Sequence, residues 1–527
     1  MNSPNAQVFR VFADASFLFL LRHRAVSKPH YALADLAKLD LRLDAMLDTL
    51  RVDAPRALAS LIDEQPLDDA GDAFVAASLV FECATASLAA WPGGTPPPAS
   101  AFAKAGMSHL SGQQRGDAFE VPGDHAERIA QVLTSAQDAE PNDAQPSLPD
   151  VVDAVASALA WLRPGQQRAI LDHLFAIDDE GLVAVASDVA IAATALARPA
   201  IPGLRFAPSA LLNRCFERTL AGQMPPEGNA SIESRRRARA LTAIGQLGLT
   251  GHAMLVQRHL SSASSRVRGS AAWSACLLQI PGATDALEPF ALAELPEETT
   301  RDALFAQHFQ RPAIEVLLRS LSFEAGLEFF TRASRSERTL RSAVIAAGVL
   351  GDSSLIPWLL ERCDEPIVAR VAGEAISMIT GADLAYEDLD GDAPPGFAAG
   401  GPNEDETDDR VELDPDEDLP WPDRSRLERW FGTWTASQAS SLPRSLAPTT
   451  GLRRLLLGKP IAREAQALAR DGATGHLRHA LRNARQRARY AAAIEVALAA
   501  PGTCLANMAL RGDWQRAQIE TEPAREA

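Results

Sequence analysis

The sequence predicts an all-α protein built as an α-solenoid of stacked helix pairs, and three observations predict it. Of the 527 residues, 46% are apolar but only 6% aromatic, so alanine and leucine carry the apolar content. Both are strong helix formers, and small alanine faces let helices pack closely, while few stretches alternate like strands. A second observation is punctuation: from residue 151 to 381 short apolar helical stretches are separated by Pro, Gly or Asp. The third is an internal repeat, set out below. A chain of this length exceeds one compact core, which leaves several domains or one extended stack.

The N-terminal unit, residues 1–150, opens with helices. Leu36, Leu39, Leu43, Leu47 and Leu50 recur at spacings of three and four, one apolar stripe on a helix. A second helix runs from Asp72 to about residue 90 and stops at Trp91-Pro92-Gly93-Gly94; a loop-rich connection follows. The apolar run at residues 17–21 is too short to span a bilayer and lacks the flanks of a signal peptide, so a cytoplasmic protein with no membrane insertion is expected.

Residues 151–382 carry the repeat. Residues 240–248, ALTAIGQLG, align with 343–351, AVIAAGVLG, matching Ala240 with Ala343, Gly245 with Gly348 and Leu247 with Leu350. Each copy is followed by a turn, a second helix, and a third that opens with Val and Arg (Val267-Arg268; Val368 and Arg370). The arrangement is HEAT-like: such pairs bury their faces only by stacking on neighbours. Gly245, Gly248, Gly348 and Gly351 are expected near helix C-termini, where glycine relieves left-handed strain.

Residues 383–423 form an acidic linker, with fifteen acids and one base, Arg410, between 383 and 418. Residues 424–527 reverse the sign, with sixteen bases against five acids from 424 to 516, and read as a small basic C-terminal helical domain. The charge reversal suggests a linker that folds back as a lid on the arginines.

No phosphate loop, dinucleotide fingerprint, nucleophile elbow or zinc-protease motif occurs, so no catalytic residue and no cofactor is expected. The five cysteines are far apart, without metal or redox spacing, and are expected to be reduced and mostly buried. His476 and His479 sit three apart, but no third ligand follows and Arg478 and Arg482 repel a cation, so no metal is expected. Asp388, Asp390 and Asp392, like Asp414, Asp416 and Asp418, have alternate-Asp spacing without the glycine and terminal glutamate of a calcium loop, and read as solvated charge. Arginines recur at helix starts (Arg235 to Arg237, Arg239, Arg266, Arg268, Arg338, Arg341, Arg370), and inter-repeat ladders with Asp and Glu are preferred to a phosphate groove because residues 1–382 are acidic overall. Arg478, Arg482, Arg485, Arg487 and Arg489, with Trp421 and Trp430, are the candidate partner-binding residues. For the arginines an acidic-partner site and a solvated helix face both stay open.

HYALADLAKLDLRLDAMLDTLR (30–51), ISMITGADLAYEDL (376–389), LPWPD (419–423), LLLGKPI (455–461) and RQRARYAAAIEVALAAPG (485–502), in that order, resemble an uncharacterised family of proteobacterial HEAT-repeat proteins whose genes often lie beside type VI secretion genes. LPWPD after an acidic run is the most specific part. The resemblance implies a secretion-linked adaptor or chaperone for an effector or spike component, and carries no catalytic residues. The expected function is therefore protein binding without catalysis. The alternative is a nucleic-acid-binding protein of the HEAT-like DNA glycosylase type, disfavoured because Trp161, Trp273 and Trp358 fit core packing.

Overall fold

The computed structural model describes residues 4–52, 54, 57–58, 69–86, 123–139, 149–197, 206–222, 230–294, 301–395, 397, 416–441, 454–461, 473–499 and 501–520. Among them the protein is all-α, with two short antiparallel strand pairs.

One row of helices runs through the chain. It consists of α1 (Pro4–Ala25), α3 (Ala70–Ala84), α5 (Val151–Ala160), α7 (Val183–Leu196), α9 (Ala230–Gln246), α11 (Ser265–Leu277), α13 (Arg301–Ser320), α15 (Leu340–Leu350) and α17 (Ala369–Thr380). Each packs on the next. The helices between them lean on this row: α2 (Leu33–Arg51) on α1, α4 (Gly123–Asp138) on α3, α6 (Pro164–Ala176) and α8 (Ala210–Thr219) on α7. Likewise α10 (Ala253–Arg258) packs on α11, α12 (Ala283–Ala291) on α11 and α13, α14 (Phe323–Ala333) on α15, and α16 (Ile356–Arg362) on α17. This is the order of contacts that stacked helix pairs produce.

Local chemistry explains the elements. The leucine stripe of α2 is buried at Leu36, Leu39, Leu43, Leu47 and Leu50. Side chains of Asp69, Asp150, Ser264 and Ser322 cap α3, α5, α11 and α14 by accepting from backbone N–H groups of the first turn. The two repeat copies are α9 and α15. Gly248 and Gly351, just past their ends, have φ of +66° and +65°, the left-handed geometry expected of them. Gly245 and Gly348 lie inside the helices and serve contact instead of a turn. A Cβ on Gly245 would stand 2.5 Å from Ser274 Oγ on α11, and one on Gly348 would stand 3.0 Å from Ala375 on α17.

The expected domain boundaries do not coincide with breaks in packing. Helices α5 and α6, on the repeat side of residue 150, share one apolar core with α1 to α4, and α7 contributes to that core and to the next one. The second core continues unbroken into Leu455, Leu456, Leu481, Ile494, Leu505 and Met508. The described residues between 454 and 510 therefore share the core of the repeats. After α18 (Arg424–Ser441), the strands β3 (Leu455–Leu456) and β4 (Lys459–Pro460), α19 (Ala473–Asn483), α20 (Gln486–Ala499) and α21 (Gly512–Glu520) lead back towards the N-terminus.

On this return the chain meets the C-terminal end of one row helix after another. Leu457 N and Gly458 N donate to Met378 O and Ile379 O of α17, Leu455 N to Gly351 O past α15, and Arg454 to Leu318 O and Leu321 O at the end of α13. Further on, Leu505 N donates to Gln246 O of α9, Asn507 Nδ2 to Leu196 O of α7, and Arg22 of α1 to Ala509 O and Leu510 O. Helix C-termini expose carbonyls that lack intrahelical donors; the strap supplies donors at α7, α9, α13, α15 and α17, and itself accepts from Arg22 of α1.

The acidic linker is held at both described ends. β1 (Asp390–Gly391) pairs with β2 (Trp421–Pro422), and Asp383 pairs with Arg485 at 2.6 Å. Residues 396 and 398–415, including Asp414 and most of the proposed lid, lie outside the described residues.

Candidate functional site

A cavity of about 370 Å³ opens on the face of the row where α1, α5, α7, α9, α11 and α13 converge, with Asn507, Ala509 and Leu510 of the strap at one rim. Its apolar wall includes Phe19, Trp161, Ala195, Ala243 and Phe305. Its polar wall is organised around Arg239, midway along α9. Arg239 Nη2 donates to Asp150 Oδ2 at 2.7 Å, Nε to Asp153 Oδ1 at 2.8 Å, and Nη1 to Asp188 Oδ2 at 2.6 Å. One guanidinium thus ties the start of α5 and the middle of α7 to α9.

The electrostatics follow from burial. Desolvation pushes Asp150 up to about 6 against the opposing pull of Arg239, and pushes Asp188 up for the same reason. Asp153 is also desolvated, but Arg239 outweighs the burial and holds it below the usual carboxylate range. Burial disfavours the charge on Arg239 too, yet three carboxylates more than compensate and keep it protonated. On the opposite wall burial lowers His23 to about 4, so its imidazole is neutral at pH 7. Arg22 and Arg511 lie 5.6 and 5.3 Å from the Trp161 ring centroid. Both are anchored below, Arg22 to Asp40 at 2.8 Å and Arg511 to Asp44 at 2.6 Å.

No family model, curated protein or solved structure matches the chain.

Of the repeat arginines, Arg235, Arg239 and Arg338 pair with acids of other elements of the row, and others are engaged otherwise. Arg237 pairs with Glu233, Arg338 with Glu294 and Arg341 with Asp416, while Arg266 and Arg268 lie over Phe305 and Phe290. A second buried network joins α13, α17 and α20: Glu374 accepts from Arg311 at 2.8 Å and from Arg487 at 2.7 Å. Burial raises the Glu374 carboxyl, but these two guanidinium groups outweigh it and hold it at about 2.

The candidate arginines of α19 and α20 do not form one open face. Arg489 is wholly buried and donates to Leu481 O, Gln486 Oε1 and Gln515 Oε1, which fastens α19, α20 and α21 together. With no carboxylate beside it, burial lowers its pKa to about 9. It is a fastener inside the fold and cannot meet a partner. Arg487 is committed to Glu374 and Arg485 to Asp383, while Arg482 is exposed and Arg478 partly so. Trp421 stacks on Arg370, its centroid 4.5 Å away, and Trp430 Nε1 donates to Glu387 Oε2 at 2.7 Å. His476 Nε2 contacts Leu456 O at 2.9 Å and His479 Nδ1 contacts Asn483 at 3.1 Å, so the two rings face separate partners. No group of three metal-ligating side chains occurs among the described residues.

Sequence reasoning missed the cavity. Asp150, Asp153, Asp188 and Arg239 lie up to 89 residues apart and share no motif. The usable signal was the row of helix-start arginines, which announced inter-repeat pairing without naming the partners.

Proposed function

We propose that the protein is a non-catalytic scaffold that holds a partner protein in the cavity of its helix row. In that reading it is a cytoplasmic adaptor or chaperone-like accessory of type VI secretion, acting on a secreted effector or spike component. The observation that carries the scaffold reading is that the central cation of the cavity is spent inside the fold: the donor fork of Arg239 is directed at three aspartates. Trp161 and Phe305, both partly exposed, remain as apolar contact surface, suited to a side chain of a bound polypeptide. A nucleic-acid surface would need arginines turned towards phosphates, and here the ladders turn them towards carboxylates. The secretion context is supported by the sequence resemblance alone. No described helix is long and apolar enough to cross a membrane, which fits a partner that is not a bilayer.

Thr242 lines the cavity and is partly exposed, so Thr242→Trp fills the space without entering the core. Tagged wild-type and Thr242→Trp proteins are used to capture partners from the native bacterium, with mass spectrometry as readout. A protein enriched by the wild type and lost with the variant, at equal melting temperature, supports the proposal. Equal enrichment by both, or a gel shift with duplex or single-stranded DNA that Thr242→Trp abolishes, overturns it in favour of another face or of nucleic acid.

A further inference from the structure

The return of the acidic linker ends in a built seat. Asp416, 5% exposed, is gripped by both terminal nitrogens of Arg341 on α15, Nη1 at 2.5 Å and Nη2 at 2.7 Å. Its backbone carbonyl accepts from Arg370 Nη1 of α17 at 2.8 Å. Arg370 lies 4.5 Å from the Trp421 centroid and 5.9 Å from that of Phe397, so its guanidinium sits against the Trp421 ring, which Phe397 contacts edge-on. The next two acids meet the turn between α1 and α2: Lys28 pairs with Asp418 and stands 3.6 Å from Glu417, and His30 Nδ1 is 3.5 Å from Asp418. Bases from three separate parts of the row thus converge on Asp416-Glu417-Asp418, with the two-pronged geometry that arginine uses for carboxylates.

We propose that this seat is a receptor for an acidic peptide of a partner protein, kept closed in cis by the chain's own Asp416-Glu417-Asp418. The triplet lies in a turn outside any helix; charge pairs with Arg341, Lys28 and His30 hold its side chains, and Leu419 N donates to Asp416 O. The chain is anchored just beyond it by Leu419, which is buried in the core, and by the pairing of β1 with β2. The triplet therefore leaves its seat without unpicking the core. A tether presents it at an effective concentration on the order of millimolar, so a partner displaces it by offering more acids or a second contact. Of the lid expected over Arg478 to Arg489, Asp383 pairs with Arg485, while Asp416 to Asp418 meet Arg341, Arg370 and Lys28 instead. The proposal does not depend on the cavity reading, since none of these bases lines that cavity.

The test titrates a fluorescent, acetylated and amidated peptide of sequence DPDEDLP (residues 414–420) into full-length protein. The wild type is compared with the triple variant Asp416→Ala, Glu417→Ala, Asp418→Ala, and with that variant also carrying Arg341→Ala. The vacated variant is expected to bind about ten-fold or more tightly than the wild type, whose own triplet competes. Binding is expected to weaken at 0.5 M salt and to vanish with Arg341→Ala. If the triple variant does not melt cooperatively, the near-isosteric Asp416→Asn carries the same comparison. A folded, vacated protein that binds no peptide, or binds it equally without Arg341, overturns the proposal. Thr242→Trp should leave this binding unchanged, which separates its failure from that of the scaffold reading.

Discussion

Replacing Arg239 with alanine would leave Asp150, Asp153 and Asp188 facing one another with their shared counter-ion gone. Stranding buried charge in this way costs about 3–5 kcal/mol, well above an ordinary surface substitution. The pH dependence has a definite sign. Burial alone raises the pKa of all three carboxyls, and a carboxyl whose folded pKa lies above its unfolded value penalises the fold at higher pH. The penalty is relieved as pH falls through the raised value. The melting deficit of Arg239→Ala relative to wild type is therefore expected to be largest at pH 7.5 and to narrow by pH 5. Thermal melts at the two pH values check this; a deficit independent of pH would mean that the triad is not what the variant damages.

At the scale of elements, the two glycines of each repeat copy separate two roles that the sequence shows as one. Gly248 and Gly351 were legible as turn glycines because they follow the last apolar residue of a helical pattern. Gly245 and Gly348 were not legible as contact glycines, because which helix crosses there is decided by stacking between α9 and α11 and between α15 and α17. Gly245→Ala pushes a methyl into the Ser274 backbone and is expected to cost roughly 1–3 kcal/mol. Gly165→Ala, in the first turn of α6 with nothing within 4 Å, is expected to be neutral or slightly stabilising. Chemical denaturation of both variants reads the difference. The stripe of α2 and the helix pairs of the repeat were visible because periodicity is local. Arg489 looked like part of a basic face because its place inside the α19–α20–α21 junction depends on Gln515, 26 residues away.

For the whole molecule, the strap makes the C-terminal residues part of the row's stability. Ending the chain at residue 441 would uncover carbonyls at the ends of α7, α9, α13, α15 and α17, strip Leu455, Leu456, Ile494 and Leu505 from the core, and take Gly512 N from Asp40. The shortened chain is expected to lose several kcal/mol and its single cooperative transition, where an independent C-terminal domain would leave the repeats melting as before. Calorimetry of the two chains distinguishes these outcomes. The central claim is that the cavity between α1 and α13 holds another protein. It is tested most directly by placing a photo-crosslinking phenylalanine analogue at position 242 in the native bacterium, with the same analogue at exposed Ile367 as the control. The expected result is a discrete protein adduct at position 242 that the control does not give; adducts with nucleic acid, or the same adducts at both positions, would contradict it.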